Sequence, residues 1–164
     1  MPSPACLELG IPAHLHEDGR PLDDTFSPDE RLFHRIPPGF VHSNKVLPEA
    51  IKTRRTSVVR EKYSNGPMDC LFDATGGGHC LGFAVAEFRV QQVENLSNMH
   101  PTTGEPYTFK VRHDPLECLY PHCEIRTLQA GKVIEEITPK SIKTWLKQEL
   151  ARLAVIVHPA SASA

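Results

Sequence analysis

Apolar positions fall into short runs cut by prolines and glycines, not into long periodic stretches. Leu32, Phe33 and Ile36 sit in a run that Pro37-Pro38-Gly39 ends at once, so a short strand is expected over residues 31–36. Thr56-Ser57-Val58-Val59-Arg60 is β-branched and predicts a strand. Residues 80–93 form the longest apolar run, and its period is ambiguous. On a helix, Leu81, Ala84, Val85 and Phe88 share a face. On a strand, Leu81, Phe83 and Val85 oppose Ala84, Ala86, Phe88 and Val90. A flanking Gly cluster and the Val and Phe content favour a buried strand. Residues 107–113 alternate and predict a strand, and residues 122–128 predict another, with residues 132–137 as a hairpin partner across the turn Ala130-Gly131-Lys132. Residues 95–106 are read as a loop. Ile142, Trp145, Leu146, Leu150 and Leu153 recur at helical spacing, after Thr138 as N-cap and Pro139 as first helical residue. A helix over 139–154 and a short closing strand at Val155-Ile156-Val157 follow. Short strands before one long helix predict an α+β fold: a mostly antiparallel sheet with the C-terminal amphipathic helix packed on one face.

Composition refines this picture. The 164 residues carry a net charge of −2, 40% hydrophobic residues and 15 prolines. That suits one domain with a real core and irregular connections, and disfavours a nucleic-acid partner or a membrane surface. No apolar run is long enough to span a bilayer, and Met1-Pro2-Ser3-Pro4 shows no secretory pattern. The charge is uneven. Residues 1–30 hold five prolines and seven acids against Arg20 alone, and are expected to be a peripheral or partly disordered arm, with docking on the domain through Leu7, Leu9, Ile11 and Leu15 as the alternative. Residues 45–62 hold Lys45, Lys52, Arg54, Arg55, Arg60 and Lys62 against Glu49 and Glu61. This basic segment is read either as a solvated face, with the acidic arm folded onto it, or as a site for an acidic partner. Residues 31–159 are the expected domain and 160–164 a tail. Five cysteines, an odd number, suit reduced thiols and a cytoplasmic location.

Three constellations carry candidate chemistry. If a helix began after Cys80, its dipole would lower the thiol pKa, with His113 or His122 as base and Asp114 or Glu124 orienting it. The run Gly76-Gly77-Gly78-His79-Cys80 resembles the neighbourhood of the catalytic cysteine in transglutaminases and arylamine acetyltransferases, which implies a Cys/His hydrolase or transferase. The strand reading of residues 80–93 competes with it. His113, Cys118, His122 and Cys123 crowd into eleven positions, with His79 and Cys80 nearby, and a structural zinc is the alternative they suggest. Adjacent His122 and Cys123 point to opposite faces of a strand, so one ion cannot take both. The glycine run fits no phosphate-binding fingerprint and reads as a connection.

One wider resemblance spans about residues 30–159. Leu32-Phe33-His34-Arg35-Ile36, then Ser57-Val58, then Asp114-Pro115 with His122-Cys123-Glu124-Ile125, and a terminal helix follow one another. This order resembles small bacterial proteins with an L-Y-R-R-I opening, an S-V strand, a D-P…H-A-x-V segment and a terminal helix. Phe33-His34 replaces Tyr-Arg here, and Cys123 stands where Ala is usual. No activity attaches to those proteins. The resemblance implies a strand at 80–93 and a single-domain accessory of a larger, sometimes antiviral-defence, system. The expectation is therefore a non-enzymatic regulatory or interaction protein without cofactor. Its partner would be another protein, met partly through complementary charge.

Overall fold

The structure, a computed structural model, describes residues 3–74, 80 and 82–161. In chain order the elements are α1 (Pro4–Glu8), β1 (Arg31–Ile36), β2 (Val41–His42), β3 (Lys45–Val46), β4 (Thr56–Arg60) and β5 (Ala84–Arg89). They continue with α2 (Val90–Glu94), β6 (Ser97–Met99), β7 (Pro106–His113), β8 (His122–Gln129), β9 (Lys132–Ile134), α3 (Lys140–Leu153) and β10 (Val155–His158). The main sheet is antiparallel throughout, in the order β10-β5-β1-β4-β8-β7-β6. β9 pairs with the far end of β8, beyond the stretch that β4 covers. β2 and β3 form a separate hairpin.

Strand alternation sorts the side chains onto two faces. Leu32 and Ile36 of β1, Val58 of β4, Ala86 and Phe88 of β5 and Ile125 of β8 belong to one core, where Ile142, Leu146 and Leu150 of α3 pack. Burying those three helix side chains contributes several kcal/mol, at about 1.5–3 kcal/mol each. The expected α+β class, with the helix on one face, is therefore the observed one. On the opposite face Phe33, Val59 and Val85 pack against Cys6, Ile11, Leu15, Cys70, Leu71 and Leu119.

That second core corrects the reading of residues 1–30 as a peripheral arm. Cys6, Ile11 and Leu15 are at most 1% exposed. The amide of Glu17 donates to the Glu117 carbonyl (2.9 Å), and that of Tyr120 donates to the Leu15 carbonyl (2.6 Å). The arm thus lies along the loop between β7 and β8. Further on, Glu30 is held by the buried Arg60, while Asp23 and Asp24 pair with Lys62 and Arg112. Composition counted these acids as solvating charge. The all-reduced reading of the cysteines is also corrected, because Cys6 and Cys118 form a disulfide across 112 residues.

Smaller differences have local causes. The 80–93 strand is confined to Ala84–Arg89, and Val90–Glu94 turns into a helix whose start is held by Gln92 accepting the Arg89 amide (3.2 Å). Residues 95–106 contain the short strand β6, which two local pairs and one proline position define. Thr138 does not cap α3. Pro139, extended at φ −66° and ψ 122°, takes the N-cap position instead.

Candidate functional site

The outer sheet face holds a cleft of about 180 Å³. Its floor is set by register. Phe33 stands opposite Val59, Val59 opposite His122, and Ser57 lies two positions from Val59 on β4, on the same face. Arg35, two residues after Phe33, shares that face, so Phe33, Arg35, Ser57, Val59 and His122 line one concave surface. One wall is Cys70, within the 3-10 turn Pro67–Leu71, and residues 72–74, which follow that turn. The other is Leu116 and Leu119, whose amides and carbonyls bond reciprocally at 3.1 Å. The disulfide at Cys118 ties this second wall to the arm.

Polar groups are sparse and placed. The half-buried Arg35 donates from Nη1 to the Phe72 carbonyl (3.2 Å), and its Nη2 lies 4.0 Å from the Asp73 carboxylate. His122 donates from Nδ1 to the Asp114 carbonyl (2.8 Å), with the Asp114 carboxylate at 3.5 Å. This fixes the ring and leaves Nε2 without a partner among the described residues. The Ser57 hydroxyl likewise has no partner among them, while its backbone carbonyl accepts from His34. Burial pushes the Cys70 thiol up to about 12, so it stays protonated at neutral pH.

The sequence-derived catalytic and metal residues do not converge. Cys80 is half-buried and precedes β5, and Ala84–Arg89 is extended, so no helix dipole acts on the thiol. It also lies outside the pleated layer in which the strand reading placed it. His113 accepts the Asp23 amide at Nδ1 (2.9 Å) and donates from Nε2 to the Tyr120 carbonyl (2.7 Å). Both ring nitrogens are committed, and burial holds the ring's pKa below the usual value. It is therefore a neutral structural histidine, not a base. Cys118 is consumed by the disulfide, and no group of three or more metal-ligating side chains occurs among the described residues. The proposed partner His79 and the glycine run at residues 76–78 lie outside the described residues.

The basic segment divides in two. Arg60 is fully buried. Its guanidinium grips both Glu30 carboxylate oxygens (2.8 and 2.9 Å), donates to the Asp23 and Thr25 carbonyls, and stacks 4.1 Å over the Phe26 ring. It cannot meet a partner, which corrects its reading as a binding residue. Lys62 donates to Asp23 (2.8 Å), and Arg55 forms a two-pronged pair with Glu135 (2.9 Å each). Lys45, Lys52 and Arg54 are exposed. The acidic arm is thus folded onto the C-terminal end of the basic segment, at Arg60 and Lys62. The cleft residues Arg35, Ser57 and Asp73 were not among the sequence candidates. The available signal was that Phe33 and Arg35 alternate against Leu32 and Ile36, which puts a charge on the same face as a buried ring.

No helix among the described residues is long and apolar enough to cross a membrane. The chain matches no protein-family model, no curated protein and no solved structure.

Proposed function

We propose that the protein is a non-enzymatic accessory of a bacterial multi-protein system, and that it docks its partner at the Arg35 cleft. The occupant is an acidic side chain of another protein, carried beside an apolar one. The observation that carries this reading is the pairing of scale and chemistry. A volume of about 180 Å³ falls below the ~300–1,000 Å³ of small-molecule pockets and suits a side chain. Its apolar floor of Phe33 and Val59 is edged by a guanidinium, a hydroxyl and an imidazole nitrogen. Arg35 supplies the charge-assisted fork that a carboxylate takes. Asp73 holds the fork near the cleft until the guest carboxylate competes for it. In this reading charge complementarity resides on the cleft and not on the basic segment, where the arm already meets Arg60 and Lys62 and Glu135 meets Arg55.

The test is fluorescence-anisotropy binding of a panel of short labelled peptides, each with one Glu or Asp next to Leu or Phe. A peptide of this class binds the wild type, weakens at least tenfold in Arg35→Ala, and weakens with salt. Asp73→Asn, which removes the resident acid, tightens it. Binding indifferent to Arg35 and to ionic strength, or no binding across the panel, rejects the reading.

A further inference from the structure

The structure accounts for two of the five cysteines as a disulfide and leaves Cys70, Cys80 and Cys123 as thiols. Cys123 is fully buried in the α3-side core, and its Sγ faces the Pro121 carbonyl at 3.5 Å. Cys70 lies in the opposite core, with the sheet between them. Cys80 is on Cys70's side. Its amide donates to the carbonyl of Leu71, the residue after Cys70, at 2.6 Å. That bond lays the chain at residue 80 alongside residues 70–71. Because Cys70 directly precedes Leu71, this contact sets Cys80 beside Cys70, where a small shift of the chain brings the pair into the Cα window that a disulfide spans. A negative charge on the Cys80 sulfur also raises the Cys70 pKa, which is a second sign that the two thiols are close.

We infer that Cys70 and Cys80 are a second disulfide pair, closing under the oxidising conditions that hold Cys6–Cys118 and leaving Cys123 as the remaining thiol. The chemistry is two thiol–disulfide exchanges with a low-molecular-weight disulfide such as oxidised glutathione. The half-buried Cys80 thiolate attacks one glutathione sulfur, forms a mixed disulfide and releases one glutathione thiolate. The Cys70 sulfur then attacks the Cys80 sulfur as its proton passes to the departing glutathione thiolate, which releases the second glutathione as a thiol. Two cysteine thiols lose two electrons and two protons, and one oxidised glutathione becomes two reduced ones. The order follows from exposure, because Cys70 is 3% exposed and held protonated, so only Cys80 meets the oxidant. Cys70 lines the cleft wall, and closure pins that wall to the chain entering β5. The inference does not depend on what the cleft binds.

The experiment holds the full chain in glutathione buffers of rising oxidised fraction. Samples are quenched with N-ethylmaleimide in denaturant and disulfide-linked peptides are mapped by mass spectrometry. Among the buffers that close Cys6–Cys118 fully, the most oxidising link Cys70 to Cys80 and leave the label on Cys123 alone. In Cys80→Ser, Cys70 takes the label while Cys6–Cys118 stays closed. The inference is overturned by labels on both Cys70 and Cys80 throughout the series, by linkage of either to a different cysteine, or by failure of Cys6–Cys118 to close.

Discussion

Arg60 carries a full charge in the interior because its guanidinium is met on every side. At least four of its five N–H donors are used, on both Glu30 oxygens and the carbonyls of Asp23 and Thr25, and the Phe26 ring covers its face. Such a pair adds little net stability over an apolar pair of the same shape, but breaking one half is costly. Arg60→Ala is expected to lose about 3–5 kcal/mol, read as a drop in the urea midpoint, because Glu30 is left buried without its counter-charge. Arg60→Lys is expected to recover only part, since an ammonium cannot span both carboxylate oxygens and the two carbonyls. The sequence placed Arg60 on a strand correctly and misjudged its exposure. Alternation with Val58 already put it on the inward face, yet the partner that makes burial tolerable stands 30 residues earlier. Arg35 is the converse case: its alternation with Phe33 was legible, while the walls that make its surroundings a cleft come from residues 70–74 and 116–119.

At the scale of elements, strands with a regular alternation were readable and those defined by a partner were not. β1, β4, β7, β8 and the helix α3 fall where the pattern put them, because β7 alternates, β4 and β8 are runs of β-branched and apolar residues between turn signals, and α3 carries a helical stripe. β6 is three residues long and exists through pairing with β7. Turn chemistry was also partly legible. Ala130 and Gly131, between β8 and β9, both have positive φ (51° and 79°), as a two-residue type I′ turn demands. Gly131 adopts this freely, whereas Ala130 is strained by its Cβ. Ala130→Asn is expected to raise stability by about 0.5–1 kcal/mol, measured by thermal or urea unfolding with no change in fold. A loss instead would show that the methyl group packs against something that the turn needs.

For the whole molecule, the arm is the decisive element. The Cys6–Cys118 disulfide closes 112 residues and fastens the arm across the outer face. Cys6→Ser with Cys118→Ser is expected to cost about 3–5 kcal/mol under oxidising conditions and nothing under reducing ones, where the bond is open in both chains. Comparing the two by urea unfolding, with and without reductant, separates the cross-link from the packing. Stability also depends on pH. Burial holds His34 and His113 below the usual histidine pKa, so on acidification the unfolded chain takes up these protons first. Stability from these two groups is present above about pH 6.5 and falls as the pH drops from there towards their folded values. Asp23 acts in a lower window. Its hydrogen bond to Lys62, then those from Tyr63 and the Thr25 amide, hold its carboxyl well below the carboxylate range. Its contribution is therefore complete above about pH 4 and is lost only in stronger acid. The unfolding midpoint is expected to be lower at pH 5 than at pH 7, and His113→Gln to flatten that slope. An equal midpoint at both values removes the buried-histidine account. By itself the sequence determined the class of fold and the main strands and helix, because side-chain alternation and helical spacing are properties of neighbours along the chain. Only the tertiary structure decided that the acidic arm is core, that Cys6 finds Cys118, and that Arg35, Ser57 and His122 share a cleft. Those facts depend on which distant segments meet, and neither charge count nor periodicity records that.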